Sequence, residues 1–412
     1  MTNRLCVGID ASKCKNVVSI VDQSTVLDEF SINNSLPGSK TISSRITAVM
    51  QKNSYDSLAI GVEATSVFAE TLVRTLKESC SVPGISPRLF ILNPRQVKGF
   101  KDSYPELQKT DTIDAAVIAN YLLAGPILKL RLREAYMDDR YIALQKLTRA
   151  RFHAAQDLSR EKNRFLGYVF MKFSSLTQEK IFSNNFGKAS TAVITELSVD
   201  EIAYMDLEEL SQFIGEKGKN RFPDVEKVAK AVQKAARDSY RLPKVISDSV
   251  DQVLAVSLNI INSFSSQIKS LDKYIERQAA LVPQPLLSIK GVGPVYSAGI
   301  IAEIGDIHRF KDHAALAKYA GLCWTRHQSG GFQAEHTRMI KSGNRYLKYY
   351  LIQAANRVRV CDPEFRRFYQ LKYRQSSHHK HKRALALTAR KFVRLVYALL
   401  RDNRLYIPPE EV

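Results

Sequence analysis

Two short segments that alternate in polarity and each end on a carboxylate constrain the fold most. Leu5-Cys-Val-Gly-Ile-Asp10 puts Leu5, Val7 and Ile9 on one face and Cys6, Gly8 and Asp10 on the other. Leu58-Ala-Ile-Gly-Val-Glu63 has the same length and closes the same way. A period of two over so short a run is the mark of a strand. Val17 to Val21 and Phe30 to Ile32 read as further short strands, so the first three form a meander. Phe68 to Ser79 reads as a helix, Arg88 to Leu92 as a fifth strand stopped by Asn93-Pro94, and Asp111 to Leu123 as a helix closed by Gly125-Pro126. The expected order is βββαβα, an α/β domain over residues 1–135.

The rest of the chain has a different period. From Tyr141 to Lys172 and from Val245 to Ala280, apolar residues recur at helical spacing with few Gly or Pro, as in Leu254, Leu258, Ile261, Phe264, Ile268 and Leu271. Such lengths predict a hairpin or coiled coil and a dimer or tetramer, with residues 136–282 as a linking and dimerising region. Residues 174–244 between them carry no chemistry legible in the sequence. Pro283 and Pro285 mark a boundary, and 283–412 is expected to be a mainly α domain. At 412 residues the chain exceeds what one core usually serves. No stretch approaches the ~18–20 apolar residues of a membrane span, and the first residues lack a signal-peptide pattern, so a cytoplasmic protein with no membrane partner is expected. The five cysteines are scattered without any C-x-x-C pair, which argues against disulfides and zinc and for a reducing compartment.

Charge names the class of partner. The chain carries a formal +20, and residues 341–404 alone hold 17 Lys and Arg against 3 Asp and Glu. A surplus so concentrated is what binding to a polyanion uses, through neutralised phosphates and released counterions.

Asp10 and Glu63 end neighbouring strand patterns, and Asp111 and Asp114 lie three apart on one helix face. Each has an ordinary reading: Asp111 as an N-cap with Asp114 favoured by the helix dipole, Asp10 as a turn residue, Glu63 as a solvated strand end. Together they form an all-oxygen donor set suited to Mg²⁺ or Mn²⁺, which serves phosphoryl transfer. The segments Val7-Gly-Ile-Asp10-Ala-Ser-Lys13, Gly61-Val-Glu63-Ala-Thr, Asn93-Pro94 and Lys109-Thr-Asp111-Thr-Ile-Asp114-Ala resemble the Asp-Glu-Asp-Asp (DEDD) domain of insertion-sequence transposases. That resemblance implies a ribonuclease-H-like fold similar to the RuvC resolvase.

A second constellation lies near the other end. Leu286-Leu-Ser-Ile-Lys-Gly291-Val-Gly293-Pro resembles a helix-hairpin-helix, whose glycines let backbone N–H groups approach a phosphate; a plain helix–helix turn is the ordinary alternative. Tyr319-Ala-Gly-Leu-Cys-Trp, Gln328-Ser329-Gly330-Gly331 and Lys341-Ser-Gly343-Asn344-Arg345 resemble the C-terminal domain of the same transposases. By position, the resemblance makes Ser329 the nucleophile, where composition alone would make it a turn residue. Two departures touch partner binding rather than the reaction: Cys323-Trp-Thr replaces a proline-containing variant, and 174–244 is long. Nucleic-acid contacts are expected at Lys13, Arg95, Lys98, Lys109, Gly291, Gly293, Arg326, Lys341, Asn344 and Arg345. His378-His379-Lys-His381 reads as phosphate-facing rather than metal-binding, His327 as a weaker candidate base, and Trp324 as core. The resemblance further implies a prokaryotic recombinase guided to donor and target DNA by a structured noncoding bridge RNA. A metal-dependent junction nuclease without a covalent serine, and a nonenzymatic architectural protein, are the alternatives.

Overall fold

A computed structural model describes the chain except residues 1, 2, 24, 65, 66, 81–83, 105, 107–109, 129–131, 133, 136, 137, 325–327, 330, 331, 334–338 and 409–412, and describes 328, 329, 332 and 333 by backbone alone. It divides into two compact units, Met1–Asp138 and Asp139–Val412.

The first unit is a five-stranded sheet between helices. Its elements are β1 (Arg4–Ala11), β2 (Lys15–Asp22), β3 (Thr25–Asn33), α1 (Leu36–Lys52), β4 (Ser57–Glu63), α2 (Phe68–Ser79), β5 (Arg88–Leu92), α3 (Pro94–Lys101) and α4 (Asp111–Ile127). The strand order is β3-β2-β1-β4-β5. The meander pairs antiparallel, while β4 and β5 run parallel to β1. Leu5, Val7 and Ile9 face a core shared with Ile42 and Ile46 of α1 and Leu72 and Val73 of α2. Cys6 and Ala59 face the opposite core, with Val117, Ile118 and Leu122 of α4. The observed order βββαβαβαα corrects the expected βββαβα: helix α1 stands between β3 and β4, where the sequence pattern places no helix. Its Ser, Thr, Gly and Pro content hides its period, and it is started by Ser35, whose side chain accepts from the Gly38 N–H, with Pro37 in its first turn.

The second unit is helical. Its helices are α5 (Asp139–Lys172), α6 (Ser174–Gln178), α7 (Lys188–Glu196), α8 (Val199–Tyr204), α9 (Leu207–Gly218), α10 (Val225–Arg237), α11 (Lys244–Ala279), α12 (Pro294–Ile304) and α13 (His313–Tyr319). A small hairpin follows, β6 (Gln328–Ser329) and β7 (Phe332–Gln333), then α14 (Arg345–Cys361), α15 (Pro363–Arg374) and α16 (Lys380–Asp402). Helices α5 and α11 pack antiparallel, as three pairings along their length show: Arg151 to Asp272, the Ser257 hydroxyl to Glu161, and Lys172 to Asp251. The region 174–244, polar in composition, folds into α6–α10 around a core in which Leu210, Ile214, Ala229, Val232 and Ala235 join Phe165 and Val169 of α5 and Leu254 of α11. The segment resembling a helix-hairpin-helix is a 3₁₀ turn, Pro285–Ser288, leading into α12. Among the described residues no helix is long and apolar enough to cross a membrane, and all five cysteines are free.

Candidate active site

In the first unit, parallel register sets the site. Ile9 of β1 lies opposite Val62 of β4, so the next residues, Asp10 and Glu63, leave adjacent strands side by side at a spacing of about 4.8 Å. Alternation puts them on the face of Gly8 and Gly61. Helix α4 covers that face closely because glycine permits it: a Cβ on Gly8 would stand 2.1 Å from the Ala115 carbonyl oxygen. The N-terminus of α4 is thereby drawn to the end of β1. Thr110, not Asp111, is the N-cap, its hydroxyl accepting from the Ile113 N–H at 3.3 Å. That corrects the capping reading of Asp111, whose carboxylate instead pairs with Lys15 Nζ at 2.7 Å. Asp114 accepts from Lys101 Nζ of α3 at 2.5 Å.

The four carboxylates feel one another. Burial first, then the charges of Asp114 and Asp111, push the Asp10 carboxyl above its ordinary pKa, with Lys15 opposing. Burial, then Asp10 and Asp114, push Glu63 up. Among the described residues no group of three His, Cys, Asp or Glu side chains stands close enough to hold an ion in this arrangement. Lysines occupy two of the four carboxylates instead. The donor set itself fits a hard divalent cation: oxygen ligands only, with Asp10, Glu63 and Asp114 part-buried and Asp111 exposed, and repelling one another in a way that a positive charge relieves. Lys13 is exposed in the turn before β2, and Arg95 and Lys98 are exposed on α3, which leaves β5 beside Glu63. Lys109 lies outside the described residues.

In the second unit, β6 sets the backbone of Ser329 opposite Phe332. The loop carrying this hairpin is pinned at its root. Ile340 N–H donates to the Cys323 carbonyl at 2.9 Å, and Trp324 bridges Met339. Trp324 is half-buried there, which corrects its reading as a core residue: it stays at the edge of the domain because its backbone closes the loop. The backbones of Gly321 and Gly343, both with positive φ, meet so closely that a Cβ on Gly343 would lie 2.5 Å from the Gly321 nitrogen. Arg326 and His327 lie outside the described residues. Lys341 is exposed at the loop's end.

Asn344 turns inward. Its Oδ1 caps α14 by accepting from the Tyr346 and Leu347 N–H groups, and its Nδ2 donates to Glu303 at 2.6 Å. Glu303, whose side chain is 0% exposed, also takes a two-point bond from Arg149 at 2.6 and 2.9 Å. Arg345 extends along the surface over Tyr346, its Nη2 donating to the Tyr346 hydroxyl, which contacts His153 at 3.0 Å. Lys348 lies beside Gly321, and burial lowers its pKa. Gly291 has φ +99°, tight against the Arg357 backbone, while Gly293 precedes α12 with open space around it.

Sequence reasoning missed Lys15 and Lys101, the counter-charges of the acidic cluster, and Glu303, Arg149 and His153, which surround the root of the Ser329 loop. Glu303 had a signal, a lone acid inside the apolar run Ala298 to Ile304. Lys15, Lys101, Arg149 and His153 had none, because their partners lie far away in sequence or face solvent.

The family model described as transposase, of the DEDD type of IS110 elements, matches residues 7–171. That of the transposase IS116/IS110/IS902 family matches residues 284–370. An uncharacterized 44.8 kDa protein of insertion element IS116 from Streptomyces clavuligerus is 26% identical over the whole of this chain and 98% of its own. The 43.6 kDa protein of element IS110 from Streptomyces coelicolor is 29% identical over 74% of each chain. A probable family 20 transposase of Pseudomonas aeruginosa is 32% identical over 30% of this chain and 37% of its own.

Proposed function

Because the chain belongs to the IS110-type family of insertion-element transposases, we propose that it recombines DNA with both constellations above: Asp10, Glu63, Asp111 and Asp114 as holders of Mg²⁺ or Mn²⁺, and Ser329 as nucleophile. The observation that supports this reading is that Asp10 and Glu63 end adjacent parallel strands on the face that α4, bearing Asp111 and Asp114, covers; burial and the neighbouring carboxylates push Asp10 and Glu63 up in keeping with that placement. The strand order β3-β2-β1-β4-β5, with carboxylates ending its two central parallel strands, supports a ribonuclease-H-like domain over 1–135.

Bound there, a divalent ion supplies positive charge to the attacking and leaving oxygens of phosphoryl transfer. The chain's own groups do the rest. Ser329 Oγ bonds to the scissile phosphorus as the P–O bond to the leaving deoxyribose breaks; the serine gives up its proton and the leaving oxygen takes one up. The phosphoserine bond retains the energy of the broken phosphodiester, so a second strand is joined by the reverse attack. Lys15 and Lys101 hold Asp111 and Asp114 in place, and Lys13, Arg95 and Lys98 offer exposed cations to the DNA backbone. Lys109, Arg326, Lys341 and Arg345 are assigned to phosphate contacts by their charge, the Gly291 to Gly293 turn offers backbone N–H groups, and Asn344 serves by positioning the root of the loop.

The surplus charge suits an RNA as well as DNA, and a bridge RNA is the guide this reading assigns. An exposed apolar line on α11, Val253, Val256 and Ile260, supports self-association through the region 136–282 as a dimer or tetramer. The residues 283–412 then act as the serine-bearing domain, in a prokaryotic cytoplasm. The deciding experiment traps protein on a donor-DNA duplex with Mg²⁺ and bridge RNA, denatures it, and maps the adduct. A denaturation-resistant adduct on Ser329, absent in Ser329→Ala and in Glu63→Ala, is expected. Cleavage without any adduct would leave hydrolysis in its place.

A further inference from the structure

A second feature of the helical unit, away from the loop root, has no part in strand cleavage. At the corner between α15 and the start of α16 lies an open cleft of about 530 Å³, lined by Tyr369, Gln370, Tyr373, Arg374 and His381. Tyr373 is 42% exposed, and its ring lies 6.0 Å from that of Tyr369 at an angle of 40°. Tyr369 is fixed from two sides. The Arg359 guanidinium of α14 sits over its ring at 4.3 Å, and its hydroxyl contacts His381 Nδ1 at 2.7 Å. Residues 366–383 around the cleft contain seven Lys and Arg and no Asp or Glu.

The cleft combines an aromatic floor, an open aromatic wall and the Arg374 guanidinium at its rim, and the two segments that form it carry cations and no acid between 366 and 383. An apolar partner would find the rim hostile, and a bare phosphate would not use the rings. A ligand that satisfies both halves is flat, aromatic and polyanionic. We propose that this cleft stacks one unpaired base of a single-stranded nucleic acid on Tyr373, with the flanking phosphates on Arg374 and on Lys380 and Lys382, exposed in the first turn of α16. Bases inside a duplex are already stacked on each other and cannot reach the ring, so the site discriminates strandedness rather than sequence. His381 thereby positions Tyr369 rather than binding a metal.

Neither Ser329 nor the carboxylates take part in this site, and its test involves no cleavage. The affinities of the full chain for oligothymidylate, oligouridylate and a DNA duplex of equal length are compared without divalent metal. Tyr373→Ala should weaken single-strand binding about tenfold, as expected when one stacked base is removed. It should leave duplex binding and the unfolding midpoint unchanged. Tyr373→Phe should bind like the parent. The two single strands together tell whether the occupant is DNA, RNA or either. Unchanged single-strand affinity in Tyr373→Ala, or an equal weakening on the duplex, would overturn the proposal.

Discussion

Asp10 and Gly8 sit two residues apart on one strand and illustrate opposite constraints. Asp10 has a folded-state pKa above its ordinary 3.8, and Glu63 lies above 4.5, so in the absence of a cation each favours the protonated form on folding. The destabilisation is present above the folded pKa and absent below the unfolded one. Asp10→Asn should therefore raise the thermal midpoint by about 1–3 °C at neutral pH in chelator, and the advantage should vanish as pH falls through the folded value toward 3.8. Thermal melts across that pH range check the sign. Gly8 is limited by space: Gly8→Ala drives a methyl into the backbone of α4 at 2.1 Å, whereas Gly61→Ala meets the movable end of the Leu122 side chain at 2.8 Å. Overpacking costs about 1–3 kcal/mol, so Gly8→Ala should lie at the upper end and Gly61→Ala near the lower, as read by urea unfolding.

At the scale of elements, legibility follows the regularity of burial. Strands β1 and β4 are legible because apolar alternation runs unbroken to a carboxylate, and α4 because an acidic start precedes an apolar run. Helix α1 is not, since Ser39 and Ser43 occupy buried helical positions where a period search expects Ile or Leu. Helices α6–α10 escape for a related reason: α10 buries Ala229, Val232, Ala235 and Ala236, small residues that leave the charged face to dominate the composition. The carboxylates can be named from sequence; the lysines that hold them cannot, because Lys101 reaches Asp114 only once α3 packs on α4. The case for Ser329 rests on its motif alone. The α5–α11 pair gives a prediction at this scale. Leu254→Ala empties a fully buried position in the core of that region and should cost about 2–5 kcal/mol, visible as a lower unfolding midpoint of the helical unit.

For the whole molecule, charge is distributed as unevenly as structure. The first unit carries the acidic cluster, and the last helices carry most of the net +20. Neutralising Lys341 and Arg345 together should lower the slope of log K against log salt by about 0.9 for each duplex phosphate that no longer meets a cation. Titrations at several salt concentrations measure it, and an unchanged slope would mean that both side chains face solvent in the complex. Because Arg345 also lies over Tyr346, a Lys341→Gln variant alone separates phosphate binding from packing.

The closed root of the Ser329 loop has a consequence in entropy. The bond from the Ile340 N–H to the Cys323 carbonyl ties the two ends of the intervening segment together in the folded chain. Closing a loop the length of 324–339 costs about 2.5 kcal/mol of chain entropy. Here that cost falls on folding, where the close approach of Gly321 to Gly343 and the helix cap at Asn344 offset it. A substitution that pries Gly321 from Gly343 gives up that offset, so the cost of bringing residues 323 and 340 together then weighs on the folded state unrelieved.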